Sequence, residues 1–83
     1  MKVTIRYFAS IREALGCSSE LRDTSATTLA ALRDELLATS AAHAASLARG
    51  KSVRMALNQV MSDESALLSE ACEVAFFPPV TGG

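Results

Sequence analysis

Reactive side chains are scarce in this 83-residue chain, which has one histidine, two cysteines, one tyrosine, no tryptophan and four glycines. One histidine excludes a His-rich metal cluster and leaves no spare parts for a Ser-His-Asp triad. So few glycines argue against a glycine-rich phosphate loop. Cys17 and Cys72 stand far apart, with no CxxC and no Cys/His spacing that suits zinc. No apolar run approaches the roughly 18 residues of a membrane span. The opening stretch from Met1 to Phe8 alternates polar and apolar residues and does not form a signal-peptide core. The two thiols are therefore expected to be reduced and half-buried in a cytoplasmic protein. Nothing basic lies near either in sequence, so neither has the setting of a reactive thiolate.

What is present suffices for one core. Apolar residues make up 49% of the chain, and eight Lys+Arg against nine Asp+Glu leave a net charge of −1. Such a chain is too apolar to be disordered and too neutral to be a general nucleic-acid binder. Its length holds a single small domain.

Hydrophobic periodicity divides that domain into elements. Residues 2–8 read as a strand, with Val3, Ile5 and Tyr7 on one face and Thr4, Arg6 and Phe8 on the other. Ser10 is expected to cap a short helical turn that Gly16 ends, and residues 18–22 form a weaker second strand. Leu29, Leu32, Leu36 and Leu37 recur at helical spacing behind Thr27 or Thr28, predicting a helix over 28–39 with Arg33, Asp34 and Glu35 mostly on its outer side. The alanine-rich segment 41–49 reads as a short helix that stops at Gly50. Period two returns at Val53, Met55 and Leu57; Asn58-Gln59 offers a turn into Val60-Met61, and Leu67-Leu68 suggests one helical turn. Residues 73–77, apolar on both faces, read as a central strand that Pro78-Pro79 ends.

The expected fold is α+β: a ubiquitin-like β-grasp roll, a mixed sheet with its first and last strands in the middle and one main helix packed on one face. A ferredoxin-like sandwich is the alternative, but it needs a second full-length helix, and 41–49 is too short. The expected division is a domain over 1–77 and an extended Gly-Gly tail over 78–83.

Side chains with chemical potential mostly have ordinary readings. His43 sits among alanines and is expected to be a solvated helix-face residue; Asp63 and Glu64 read as solvated loop acids. Arg6, Arg12, Arg49, Lys51 and Arg54 are dispersed along the sequence and suit a partner-binding surface better than a base-stacking platform. Phe8 and Phe77 are different. If Tyr7 and Phe76 face the helix, strand alternation turns Phe8 and Phe77 to the uncovered face, where Met61 can join them in a patch for a protein partner. The alternative is a small apolar cluster under a loop.

The tail is the most distinctive feature. Gly82 and Gly83 carry no side chains and can enter a narrow tunnel in another protein, while Pro78-Pro79 holds the root of the tail extended. Pro78, Pro79, Val80, Thr81, Gly82 and Gly83 together reach at most ~20 Å at about 3.3 Å per residue.

The ending Glu73-Val-Ala-Phe-Phe-Pro-Pro-Val-Thr-Gly-Gly83 closely resembles that of the molybdopterin synthase small-subunit family, the sulfur carriers of molybdenum cofactor biosynthesis. Phe8-Ala-Ser-Ile-Arg-Glu13, Gly16, Thr28-Leu-x-x-Leu32 and Ala56-Leu-Asn-Gln59 resemble the same family, in its order. One departure is Glu70-Ala-Cys-Glu73, where the family tends to have an Asp-Gly-Asp turn. The resemblance implies a non-catalytic subunit of a heterotetrameric, cytoplasmic transferase, with no metal and no permanently bound cofactor. An ATP-dependent activating enzyme would adenylate the Gly83 carboxylate, and sulfur transfer would leave a C-terminal thiocarboxylate, a 1-thioglycine. Inserted into the large subunit with Gly82 easing its passage, that group would give sulfur to cyclic pyranopterin monophosphate. Phe8, Arg12, Met61 and Phe77, with the tail residues Pro78, Pro79, Val80 and Thr81, would meet the protein partners. No nucleic acid and no membrane are implied. Competing readings are a sulfur carrier for thiamine synthesis or tRNA thiolation, and a ubiquitin-like modifier that forms isopeptide bonds.

Overall fold

Two apolar strands from opposite ends of the chain lie side by side in the middle of one sheet. In the computed structural model, which describes residues 1–78, β1 (Lys2–Tyr7) pairs in parallel with β5 (Glu73–Phe77). The register runs from Thr4↔Glu73 to Tyr7↔Phe76. β2 (Ser19–Asp23) adds antiparallel to the free edge of β1, and β3 (Arg54–Leu57) adds antiparallel to β5, followed by β4 (Val60–Ser62). The sheet order β2-β1-β5-β3-β4 puts the first and last strands inside, as their composition demands. This is the mixed sheet of a ubiquitin-like β-grasp, and the fold is α+β.

α1 (Ala9–Leu15) follows β1 at once, and α2 (Leu29–Leu37) crosses the covered face. Leu29, Leu32 and Leu36 of α2 meet Val3, Ile5, Tyr7, Val74 and Phe76 in a fully buried core that Leu47 of α3 (Ala41–Leu47) completes. Thr28 caps α2 by accepting from the Ala31 N–H, and Ser40 caps α3 by accepting from the His43 N–H. A left-handed Gly16 (φ 74°) closes α1 by donating its N–H to the Arg12 carbonyl.

Four expectations change. The first helix begins at Ala9, and its cap position is Phe8, without a side-chain bond; the chain turns at Ala9 itself (φ 50°), one residue before Ser10. Leu67-Leu68 forms no helical turn: Leu67 bridges Thr28, and the Leu68 N–H donates to the Thr27 carbonyl, because this segment is needed as cover for the α2 entry. Arg33 is buried, not on the outer side of α2; its guanidinium donates to the Leu47 and Ala48 carbonyls at 2.7 and 3.0 Å. Those carbonyls have no successors in α3 to bond, so Arg33 serves as their cap. Cys17 is half-buried, but Cys72 is fully buried in the core beneath the entry to β5.

The turn at residues 69–72, where the sequence departs from the Asp-Gly-Asp pattern, closes with the Cys72 N–H donating to the Ser69 carbonyl at 3.1 Å. Ala71 takes φ 62°, a left-handed conformation in which the Cβ crowds the following carbonyl. Its N–H donates to the Lys2 carbonyl at 2.9 Å, so β1 pins the turn in place. Ala71→Gly is expected to stabilise the fold by about 0.5–1 kcal/mol, measured by urea unfolding. A loss of stability would mean that the turn is not left-handed in solution.

Candidate functional site

Parallel pairing aligns the C-terminal ends of β1 and β5, and this decides what stands at the root of the tail. One step beyond the last registered pair, Tyr7↔Phe76, come Phe8 and Phe77, turned to the face opposite the core. Their rings stack with centroids 4.7 Å apart and planes 11° from parallel. The antiparallel partner of β5 sets Arg54 opposite Phe77, and the β3–β4 hairpin sets Met61 opposite Ala56 on the same face. Arg54, Met61, Phe77 and Pro78 line a hollow of about 250 Å³. Met61 is 57% exposed, and Phe8, Phe77 and Pro78 are half-buried.

A second hollow, of about 500 Å³, opens on the other side of Pro78. Ser10, Ile11 and Ala14 of α1 form one wall, and Ser46 of α3 with Lys51, Ser52 and Val53 forms the other. The chain thus leaves the sheet between two concavities. Three serines and Lys51 line the larger hollow, and no hydrogen bond joins a serine hydroxyl to Lys51 among the described residues.

The structure brings Phe8, Met61, Phe77 and Pro78 together. Arg12 lies one helical turn beyond Phe8, exposed, and lines neither hollow. Pro79, Val80, Thr81, Gly82 and Gly83 lie outside the described residues. Two residues belong to the face that motif reading did not single out. The Arg6 guanidinium sits 5.4 Å from the centroid of the Phe8 ring, and Arg54 flanks Phe77. Strand parity already puts Arg6 on the Phe8 face; Arg54 needs the β3–β5 register, which no local pattern encodes.

A polar cluster occupies the opposite face of the sheet, against α2 and α3. The Tyr7 hydroxyl donates to Glu20 Oε2 at 3.1 Å, and burial with the Glu20 charge beside it pushes the phenol up. His43 is no solvated helix-face residue: its side chain is 14% exposed, its ring lies edge-on to Tyr7, and Nδ1 is 2.8 Å from Ser40 Oγ. Its Nε2 is buried and stops 3.6 Å from Glu20. The Ser40-His43-Glu20 order looks like acyl-transfer equipment, but Ser40 Oγ is held as a helix cap and Glu20 is committed to Tyr7 and Arg22. Glu64 pairs with Arg49, which also pairs with Asp34, whereas Asp63 accepts from both the hydroxyl and the backbone N–H of Ser65. Among the described residues no group of three or more His, Cys, Asp or Glu gathers as metal ligands do, and no helix is long and apolar enough to cross a membrane.

Residues 5–83 match the ThiS family. The chain belongs to the ThiS family. Among relatives of this ThiS-family chain is the molybdopterin synthase sulfur carrier subunit of Escherichia coli (strain K12), 37% identical over 81 residues that cover 98% of this chain and 99% of that one. A solved complex of subunits 1 and 2 of the molybdopterin-converting factor from Helicobacter pylori 26695 contains a similar chain, with a TM-score of 0.72, 26% identity and full coverage of both. SAMP1 from Haloferax volcanii superposes with a TM-score of 0.79 over both whole chains at 23% identity, a likeness of fold alone.

Arg22 ties the polar cluster to α2: its guanidinium donates to Glu35, which also accepts from the Thr24 hydroxyl. The Arg22 hydrogen bond is the main reason that the Glu35 carboxyl is held below its ordinary value of 4.5. Above that value Glu35 is ionised folded or unfolded, and the pair contributes fully; as pH falls through the lower native value, the contribution is lost. Glu35→Gln should therefore lower stability at pH 7 and leave it unchanged near about pH 2, measured by urea unfolding at both. An equal deficit at both pH values would show that the Glu35 charge is not involved.

Proposed function

We propose that this chain is the sulfur-carrier subunit of a molybdopterin synthase, and that its reacting group is the Gly83 carboxyl. The observation that carries this reading is the match to the Escherichia coli sulfur carrier subunit along nearly the whole of both chains. The geometry supports it: an aromatic pair, a methionine and two hollows surround Pro78 at the root of the Gly-Gly tail. The large synthase subunit is the docking partner, as subunit 2 is for subunit 1 in the Helicobacter pylori complex.

A carboxylate is a poor electrophile, so its activation needs a better leaving group. In an ATP-dependent activating enzyme, a Gly83 carboxylate oxygen attacks the α-phosphorus of ATP and expels pyrophosphate. Sulfur at the sulfide level then displaces AMP, leaving a thiocarboxylate with one sulfur in place of one oxygen. In the large subunit that sulfur bonds to a carbon of the cyclic pyranopterin monophosphate and displaces an oxygen substituent from it; water then cleaves the acyl C–S bond, leaving the sulfur on the pterin and restoring the Gly83 carboxylate. This chain binds, extends its end and excludes side-chain bulk at Gly82; the catalytic groups belong to its cytoplasmic partners.

Co-expression with the activating enzyme and a sulfur source is expected to add the mass of one sulfur-for-oxygen exchange at Gly83. One residue appended after Gly83 should abolish both that exchange and sulfur transfer, with the melting temperature unchanged. Unmodified protein in the first case, or full activity of the untrimmed extension in the second, would refute the mechanism.

Phe77→Ala is expected to weaken binding to the large subunit by about 2 kcal/mol, as removal of a central aromatic anchor does. Isothermal titration calorimetry measures it, and an unchanged affinity would place Phe77 outside the interface.

A further inference from the structure

Ion pairing is uneven in this nearly neutral chain. On the helix side Arg22 pairs with Glu20 and Glu35, and Arg49 pairs with Asp34 and Glu64, whereas Arg12 and Lys51 are exposed and make no ion pair among the described residues. On the outer sheet face, Arg6 and Arg54 are exposed and make no ion pair among the described residues. Arg6 lies over the Phe8 ring, Phe8 stacks on Phe77, and Arg54 stands opposite Phe77 in the hollow with Met61. The sequence of groups across the face is guanidinium, ring, ring, guanidinium. The carboxylates of that face lie at the far end of the sheet: Asp23 stands opposite Lys2, and Glu73 begins β5, four residues or about 13 Å from Phe77. Glu13, next to Arg12 on α1, takes part in no ion pair among the described residues.

We infer that Arg6 and Arg54 form a charge clamp around the aromatic pair, and that the partner surface docking there carries carboxylates on either side of an apolar socket. The inference rests on the sulfur-carrier reading and goes beyond it: it says what the large subunit must present and why acidic surfaces dock in preference to neutral ones. Exposed guanidiniums beside an apolar patch add little to the lifetime of a complex. They speed encounter with a surface of opposite charge and slow it with a surface of like charge. The stacked rings then supply contact area once the two surfaces meet.

The test measures association and dissociation rates of the full chain with the large synthase subunit of the same organism, by surface plasmon resonance across a range of ionic strength. Arg6→Glu and Arg54→Glu are compared with Lys2→Glu, which changes net charge equally at the far end of the same face. Circular dichroism melts check that all three variants fold. Arg6→Glu and Arg54→Glu are each expected to slow association roughly tenfold at low salt, with dissociation changed far less. The difference should close near about 1 M salt, where screening reaches ~3 Å. At about 0.15 M salt, where screening reaches ~8 Å, Lys2→Glu should slow it less than about twofold, because Lys2 lies four residues, or about 13 Å, from Arg6. Equal slowing by all three variants, or none by Arg6→Glu and Arg54→Glu, overturns the clamp and leaves the sulfur-carrier reading standing. Failure of the unaltered chain to bind the large subunit overturns both. Salt-sensitive binding of poly(U) that displaces the large subunit, and that the same two variants abolish, would assign the face to nucleic acid and also overturn the clamp.

Discussion

Parallel hydrogen bonding between β1 and β5 brings two strands with fully buried apolar faces into register from opposite ends of the sequence. Parallel strands cannot be joined by a tight turn, so everything between them must form the crossover and the cover. α2 lies over the joined strands because they present Val3, Ile5, Tyr7, Val74 and Phe76 as one apolar surface. Parallelism also puts both C-terminal strand ends on one side of the molecule. The same register that buries Tyr7 against Phe76, with rings 6.2 Å apart and near parallel, turns Phe8 against Phe77 on the other face. Core and docking face are two sides of one alignment.

The division of labour among charged residues follows from this arrangement. Arg33 is spent on the backbone carbonyls that end α3, and Arg22 and Arg49 hold acidic partners on the helix side. Burial makes the polar cluster around Tyr7, Glu20 and His43 part of the scaffold: it fastens β2 and α3 to the core and leaves no hydroxyl and base free for catalysis. The reaction proposed at the Gly83 carboxyl needs rigidity behind that end and recognition around it. The described residues provide both.

Much of this was legible in the sequence where period, cap and strand parity agree. The alternation in residues 2–7, the leucine spacing after Thr28, the turn at Asn58-Gln59 and the apolar run at 73–77 each correspond to an observed element. Local pattern failed where a distant partner decides the outcome. Nothing near Arg33 announces that the end of α3 will need its guanidinium, and nothing near His43 announces Tyr7 or Glu20. Leu67-Leu68 has the composition of a helical turn, but the segment spends its hydrogen bonds on the entry to α2. Ser10 is a good cap residue by type, yet the backbone turns one residue earlier, at Ala9.

The candidate site divides in the same way. Phe8 and Phe77 declare their face through strand parity, a local property, and the Gly-Gly ending is visible in the sequence itself. The grouping of Arg54 and Met61 with Phe77 depends on which strand lies beside β5 and in what register, a choice made by burial across the whole sheet. The sequence by itself determined which residues alternate, that α2 starts behind Thr27 or Thr28 and how few reactive side chains exist, because these are local or compositional properties. Only the tertiary structure decided which charges stand unpaired beside the aromatic pair, because pairing depends on side chains that meet across elements far apart in the chain.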